Sequence, residues 1–245
     1  ITPTWLRELA KLSTFDEGPK LAREYLARHG ITLVIEKHFK RTFLDGAAML
    51  DNDRPIVALT LRHDRFDNFW FALLHELAHV AKHLTPESPV FIDDLDRSNP
   101  QEVEAEADAM AQEALIPEKS WRTAKVRQTL LSEDAISFAD EISVHPSIVA
   151  GRLRHEEKNF RLLSHLIGKT GQVSQILTLE GDVDLLQQAR QIELQGAVNN
   201  DPQRPVAGMF ADIDQRLGKI RIFQGGHGDE EIVGEIERIH APILP

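Results

Sequence analysis

The sequence predicts an α+β chain that is mainly helical, with a small sheet near its start and a small α/β appendage at its end. Three observations carry that expectation. Two apolar runs, 43–50 and 55–61, flank Asp51-Asn52-Asp53-Arg54, a turn-forming tetrapeptide, which is the pattern of a hairpin. From Phe66 to His83 apolar residues occupy most of the circumference of one long helix, as in a buried helix rather than a surface one. Beyond Gly168 the pattern shifts to short strand-like and helical stretches. A first domain at 1–168 and an appendage at 169–245 follow.

In chain order, Thr4–Leu12 and Gly18–His29 have helical spacing, the second through Leu21, Ala22, Tyr25 and Leu26 before a Gly30 stop. Ile31–Glu36 reads as a strand and precedes the hairpin. Thr85-Pro86 ends the buried helix. Asn99-Pro100, a cap followed by a first-turn proline, opens the next helix, which Pro117 stops after Leu115. Three more helical segments are expected near 120–130, 132–142 and 146–167. In the appendage, Val173–Leu179 and Lys219–Phe223 read as strands, Val183–Leu194 and Asp229–Ile239 as helices, and Gly196–Pro205 as a loop.

At 245 residues with no cysteine, the chain can build a sizeable core but no disulfide framework and no thiolate metal site, so a bound metal must be held by nitrogen and oxygen. Lys and Arg number 28 against 39 Asp and Glu, a formal charge of -11 that repels a phosphate backbone and disfavours direct nucleic-acid binding. No apolar run approaches the roughly 18 to 20 residues of a membrane span, and no secretory leader opens the sequence. A cytoplasmic location without membrane attachment is the expectation. The chain opens at Ile1 without an initiator Met, and a further module upstream is among the expectations.

The motif with chemical content is His75-Glu76-Leu77-Ala78-His79. At i and i+4 two imidazoles project from one helix face about 6 Å apart along the axis, so both can reach one ion at roughly 2.1 Å. Glu76 lies about 100° round the helix, placed to act as a base on a water polarised by the metal rather than to ligate. Buried imidazoles and a buried carboxylate need compensation, which a metal supplies.

A catalytic zinc site needs a third protein ligand. A third histidine six residues beyond His79 is excluded, because position 85 is Thr. His83 lies about 12 Å along the axis from His75, too far to share the ion, and reads as a cation on the helix C-terminus. Among three nearby glutamates, Glu104 shares a helical face with Ala107, Asp108, Ala111 and Leu115, whereas Glu102, Glu106 and Glu113 fall on the opposite, solvated side. Glu104 is thus the expected third ligand. Asp108, one turn later, is placed to accept the other ring N–H of a ligating histidine.

These residues resemble the ImmA/IrrE family of metallo-endopeptidases. The likeness rests on the HELAH motif at 75–79, on Glu104-Ala105-Glu106-Ala107-Asp108, on Leu115-Ile116-Pro117, and on the flanking 61–71 and 145–152 stretches. It covers about residues 1–168. The resemblance implies a zincin-like fold and a zinc peptidase of the gluzincin kind that cuts a helix-turn-helix repressor. The 61–71 and 145–152 stretches look like the branch often fused behind a helix-turn-helix, as in long HigA-type antitoxins. That branch implies an alternative, in which the domain is a binding or dimerisation module of a regulator or antitoxin.

The developing oxyanion of peptide hydrolysis needs a donor besides the metal. The single tyrosine, Tyr25, lies upstream of the motif, so His145 and Arg152 are the candidates. Arg62 and Arg65 are expected to pair locally with Asp64 and Asp67. Gly225-Gly226-His227-Gly228 sits where a phosphate loop would, but lacks the accompanying Lys-Ser/Thr and reads as a turn. The tail is a candidate ligand-sensing or dimerising module, so a homodimer is among the expectations.

Overall fold

The computed structural model describes residues 1–36, 45–51, 53–91 and 100–178. All belong to one compact unit formed by residues 1–39 and 44–188. Residues 37–44, 52, 92–99 and 179–245 lie outside the described residues. The expected elements at 183–194, 219–223 and 229–239, the 196–205 loop and the glycine turn at 225–228 therefore also lie outside them.

Two helices open the chain, α1 (Pro3–Lys11) and α2 (Gly18–Arg28), joined by a 3₁₀ turn. Thr2 caps α1 by accepting from the Trp5 N–H, and Pro3 starts the helix with its ring already at helical φ. Four strands follow: β1 (Thr32–Ile35), β2 (Gly46–Asp51), β3 (Arg54–Leu59) and, later, β4 (Val90–Phe91). They form one sheet in the order β1-β3-β2-β4. The expected hairpin is β2-β3, antiparallel, with Gly46 opposite Leu59 and Asp51 opposite Arg54. β1 runs parallel to β3, and β4 antiparallel to β2 through Ala48–Phe91 and Met49–Val90. β4 has two residues, too few to show a period in the sequence.

Helix α3 (Phe66–Lys82) runs through the core. Phe69, Trp70, Leu73, Leu74, Leu77 and Ala78 are all at most 2% exposed, which confirms a helix buried around most of its girth. It packs against the sheet and against α4 (Pro100–Leu115). The face of α4 turned inward carries Ala107, Ala111 and Leu115, small residues that let the two helices approach closely. Arg7 of α1 reaches across to the carbonyls of Ala114 (3.0 Å) and Leu115 (2.8 Å), satisfying acceptors that every helix leaves open at its C-terminus.

The remaining helices are α5 (Glu118–Thr123), α6 (Val126–Thr129), α7 (Ser132–Glu141), α8 (Pro146–Glu156), α9 (Ser164–Ile167) and α10 (Gln172–Thr178). The segment expected at 120–130 is two short helices, because Ala124 turns extended between them. The one expected at 146–167 also breaks. Lys158 and Leu163 take left-handed backbone between the end of α8 and the start of α9.

A strand expected at 173–179 is corrected to a helix, α10. Val173 and Leu177, four residues apart, are buried at 0% and 2%. A short apolar run does not separate the two readings by itself, and packing against α2 and α3 decides it. Asp64 fixes the helix start: its carboxylate accepts from the Ser174 N–H (2.9 Å) and hydroxyl (2.6 Å), and its carbonyl from the Gly171 N–H (2.9 Å). No helix among the described residues is long and apolar enough to cross a membrane.

Candidate metal centre

Three polar side chains are buried on α3: His75, Glu76 and His79, at 8%, 1% and 0% exposure. The i, i+4 spacing puts both imidazoles on the face turned to α4, where Glu104 meets them. His75 Nε2 lies 2.9 Å from His79 Nε2 and 3.1 Å from Glu104 Oε2, and His79 Nε2 lies 3.8 Å from Glu104 Oε1. One ligand atom from each of the three falls within 4.8 Å of the others. Two imidazole nitrogens and a carboxylate converging at this spacing are a donor set that could hold a metal ion.

Each imidazole is also held from behind. Asp108 Oδ1 lies 2.9 Å from His75 Nδ1, so it accepts that N–H and leaves Nε2 to face the cluster. His79 is stacked on Phe91 of β4, with ring centroids 3.7 Å apart and planes 20° apart. Its Nδ1 lies 2.9 Å from Nδ1 of His83, and His83 Nε2 lies 3.3 Å from Glu106 Oε2. Burial would raise the Glu104 carboxyl, but hydrogen bonds and charge from His75 and His79 outweigh it and hold the group at about 2. Glu104 is an anion across the physiological range.

Glu76 stands apart from the three donors. Its carboxylate lies against Gly46 of β2, where a Cβ on the strand would come within 2.5 Å of Oε1 and 2.8 Å of Cδ. A glycine here lets the strand backbone approach the carboxylate closely.

The IrrE N-terminal-like domain, a peptidase family, matches residues 27–154. The chain belongs to this family. The matched span contains β1 to β4, α3, α4 and every residue of the cluster. Comparison with curated proteins finds no match.

The structure thus brings together His75, His79, Glu104 and Asp108, while the carboxylate of Glu76, on the same helix, lies against Gly46. It does not bring His145 or Arg152 to the cluster. His145 caps α8, its Nδ1 accepting from the Ser147 N–H (3.1 Å), and its ring lies on Phe66 with centroids 4.9 Å apart. Phe66 is nine residues before His75, about 13 Å along α3. Arg152 is spent on other partners: the Ile116 carbonyl (3.1 Å), Glu118 (2.7 Å), Glu156 (2.9 Å) and the face of Trp121. Arg65 pairs with Asp67 at 2.9 Å as expected, whereas Arg62 lies 3.5 Å from Asp45, because Asp64 is engaged with α10.

Sequence reasoning passed over Gly46 and Phe91, and it read His83 only as a helix-end cation and Glu106 only as a solvated residue, missing their contact with each other and with His79. A glycine inside a strand signals close backbone approach, and an i, i+4 histidine pair signals ring contact, so two of these signals were present. The contacts of Phe91 and Glu106 depend on tertiary packing that periodicity does not encode.

Proposed function

We infer that this chain is a zinc-dependent endopeptidase with a zincin-like site of the gluzincin kind. His75, His79 and Glu104 would hold the zinc, and a protein, in particular a helix-turn-helix transcriptional repressor, is the substrate. The observation that carries the reading is the pairing of the His75, His79 and Glu104 donor set with Glu76, a buried carboxylate on the same helix that lies outside that set and is closely approached by the Gly46 strand backbone. A purely structural metal site has no use for it, and such sites usually take four protein ligands.

When bound, zinc supplies the Lewis acidity that polarises a scissile carbonyl and brings a water into the nucleophilic range near neutral pH. Glu76 would take a proton from the attacking water and return it to the leaving amine. Nδ1 of His75 faces Asp108 and Nδ1 of His79 faces His83, so each ring has its Nε2 left for the cluster. Glu104, held ionised, adds the single negative charge of the donor set. Burial of α3 excludes bulk water from one side of the site and strengthens these interactions.

Metal content by mass spectrometry tests the site, with Glu104→Ala, Glu104→Gln and the exposed control Glu102→Ala. About one zinc in the parent and the control, with loss in both Glu104 variants, is expected. Incubation with candidate repressors then tests the activity. Cleavage should vanish in Glu76→Gln while its zinc is retained. A parent chain that takes up no zinc on reconstitution overturns the reading.

A further inference from the structure

We propose that His83 is a positioning residue for His79, fixing the tautomer that turns Nε2 of His79 toward the three-donor cluster. The proposal deepens the metal-site reading above and rests on it for its functional meaning.

The two imidazoles face each other Nδ1 to Nδ1 at 2.9 Å, so one proton lies between them and one ring must donate it. The far side of His83 settles which ring donates. Its Nε2 lies 3.3 Å from a carboxylate oxygen of Glu106, and a carboxylate oxygen accepts but does not donate. In the neutral ring, rather than the cation expected at the helix end, the His83 proton then sits on Nε2 and its Nδ1 presents a lone pair. That lone pair accepts the Nδ1–H of His79, which leaves Nε2 of His79 unprotonated and turned to His75 and Glu104. The reverse arrangement would aim two lone-pair-bearing atoms at each other across the His83–Glu106 contact and send a proton into the cluster.

Three features keep the device in register. His83 is the C-cap residue of α3, and its backbone N–H donates to the His79 carbonyl at 2.9 Å, so ring and backbone are tied to the same residue. The His83 side chain is 7% exposed, which shields the shared proton from water. Lys82 Nζ, 3.6 Å from Glu106 Oε1, steadies the terminal carboxylate from the other side. The two metal-facing histidines are thus supported differently. His75 leans on a carboxylate directly, whereas His79 reaches a carboxylate through a second imidazole.

Long-range nitrogen-proton NMR of the histidine rings reads the tautomer, and chelator competition reads zinc affinity, both on the full chain. In the parent, His79 should carry its proton on Nδ1 in the metal-free and the zinc-loaded forms. His83→Leu, which removes the acceptor, should scramble that tautomer and weaken zinc binding by about 10-fold or more, the usual effect of losing a residue that orients a ligand. His83→Asn places an amide oxygen near the former Nδ1 and should restore both readouts. A merely structural role would not separate Asn from Leu in this way.

An unchanged tautomer and unchanged affinity in His83→Leu overturn the proposal, as does an Asn variant no better than Leu. Should the parent take up no zinc, the peptidase reading falls. The ring readout on the metal-free chain then decides the His83 assignment by itself.

Discussion

Gly46→Ala separates the base from the metal-holding residues more cleanly than any change within the histidine motif. An alanine Cβ at this position would lie 2.5 Å from Glu76 Oε1, 2.7 Å from Cγ and 2.8 Å from Cδ. Ordinary non-bonded contact needs roughly 3.5 Å, so the carboxylate must retreat by about 1 Å. Glu76 is 1% exposed and enclosed by the core, so it has little free space to retreat into. A misplacement of about 1 Å in a reacting group costs on the order of 100-fold in rate, equivalent to about 2.7 kcal/mol of activation free energy. The same overpacking should lower stability by roughly 1 to 3 kcal/mol. Zinc content should hold, because His75, His79 and Glu104 lie outside the clash. Turnover is followed with a fluorescence-quenched peptide that the zinc-loaded parent cleaves, beside metal content and a thermal melt for each variant. In a Glu76→Gln background the same glycine change should add almost no further loss, since both act on one function. Parent-level turnover in Gly46→Ala, or a drop explained wholly by lost zinc, would refute the assignment of Gly46 as the support of the base.

Two further outcomes follow from groups outside the cluster. Burial pushes the His145 imidazole below its ordinary 6.5, against opposing attraction from Asp16 and Asp67, so the neutral ring is the form that caps α8. A histidine depressed in the fold contributes stability that is complete above 6.5 and is lost as pH falls through its folded value. Melting temperature should therefore fall below pH 6.5, and less steeply in His145→Asn, which caps without titrating; equal slopes in the two chains would count against the role. Truncation tests where the first folding unit ends. A chain ending at 178 should melt near the parent, whereas one ending at 168 loses the buried Val173 and Leu177 and should fall by roughly 3 kcal/mol or more. Indistinguishable melts would show that α10 adds nothing to the core.

What could be read from the sequence follows from which interactions are local. The buried helix, its i, i+4 histidines and the hairpin at 46–59 all rest on one period and one turn, and the structure has each of them. The choice of Glu104 over its neighbours drew on the same kind of signal: Ala107 and Ala111 mark the face of α4 that meets α3, and Glu104 and Asp108, one turn apart on that face, lie beside His75. His145 and Arg152 were harder because nothing local says where a loop or a later helix returns relative to α3. The signals present locally, a histidine before proline and an arginine four residues before Glu156, describe a helix cap and an i, i+4 ion pair, and those are the contacts found.

Glu106 shows where the helical wheel itself stops being sufficient. It places Glu106 on the solvated side of α4, and the side chain is indeed half exposed. A wheel records the direction of the Cα–Cβ bond, however, while a glutamate carries its oxygens through two further methylene and carboxyl bonds. Close packing of α3 on α4 brings the ring of His83 within that reach, at 3.3 Å. A residue on the edge of the solvated face can therefore govern a proton two contacts inside the core. The acidic run 102–108 then divides its labour by reach: Glu104 enters the donor set, Asp108 supports one imidazole directly, and Glu106 supports the other through His83.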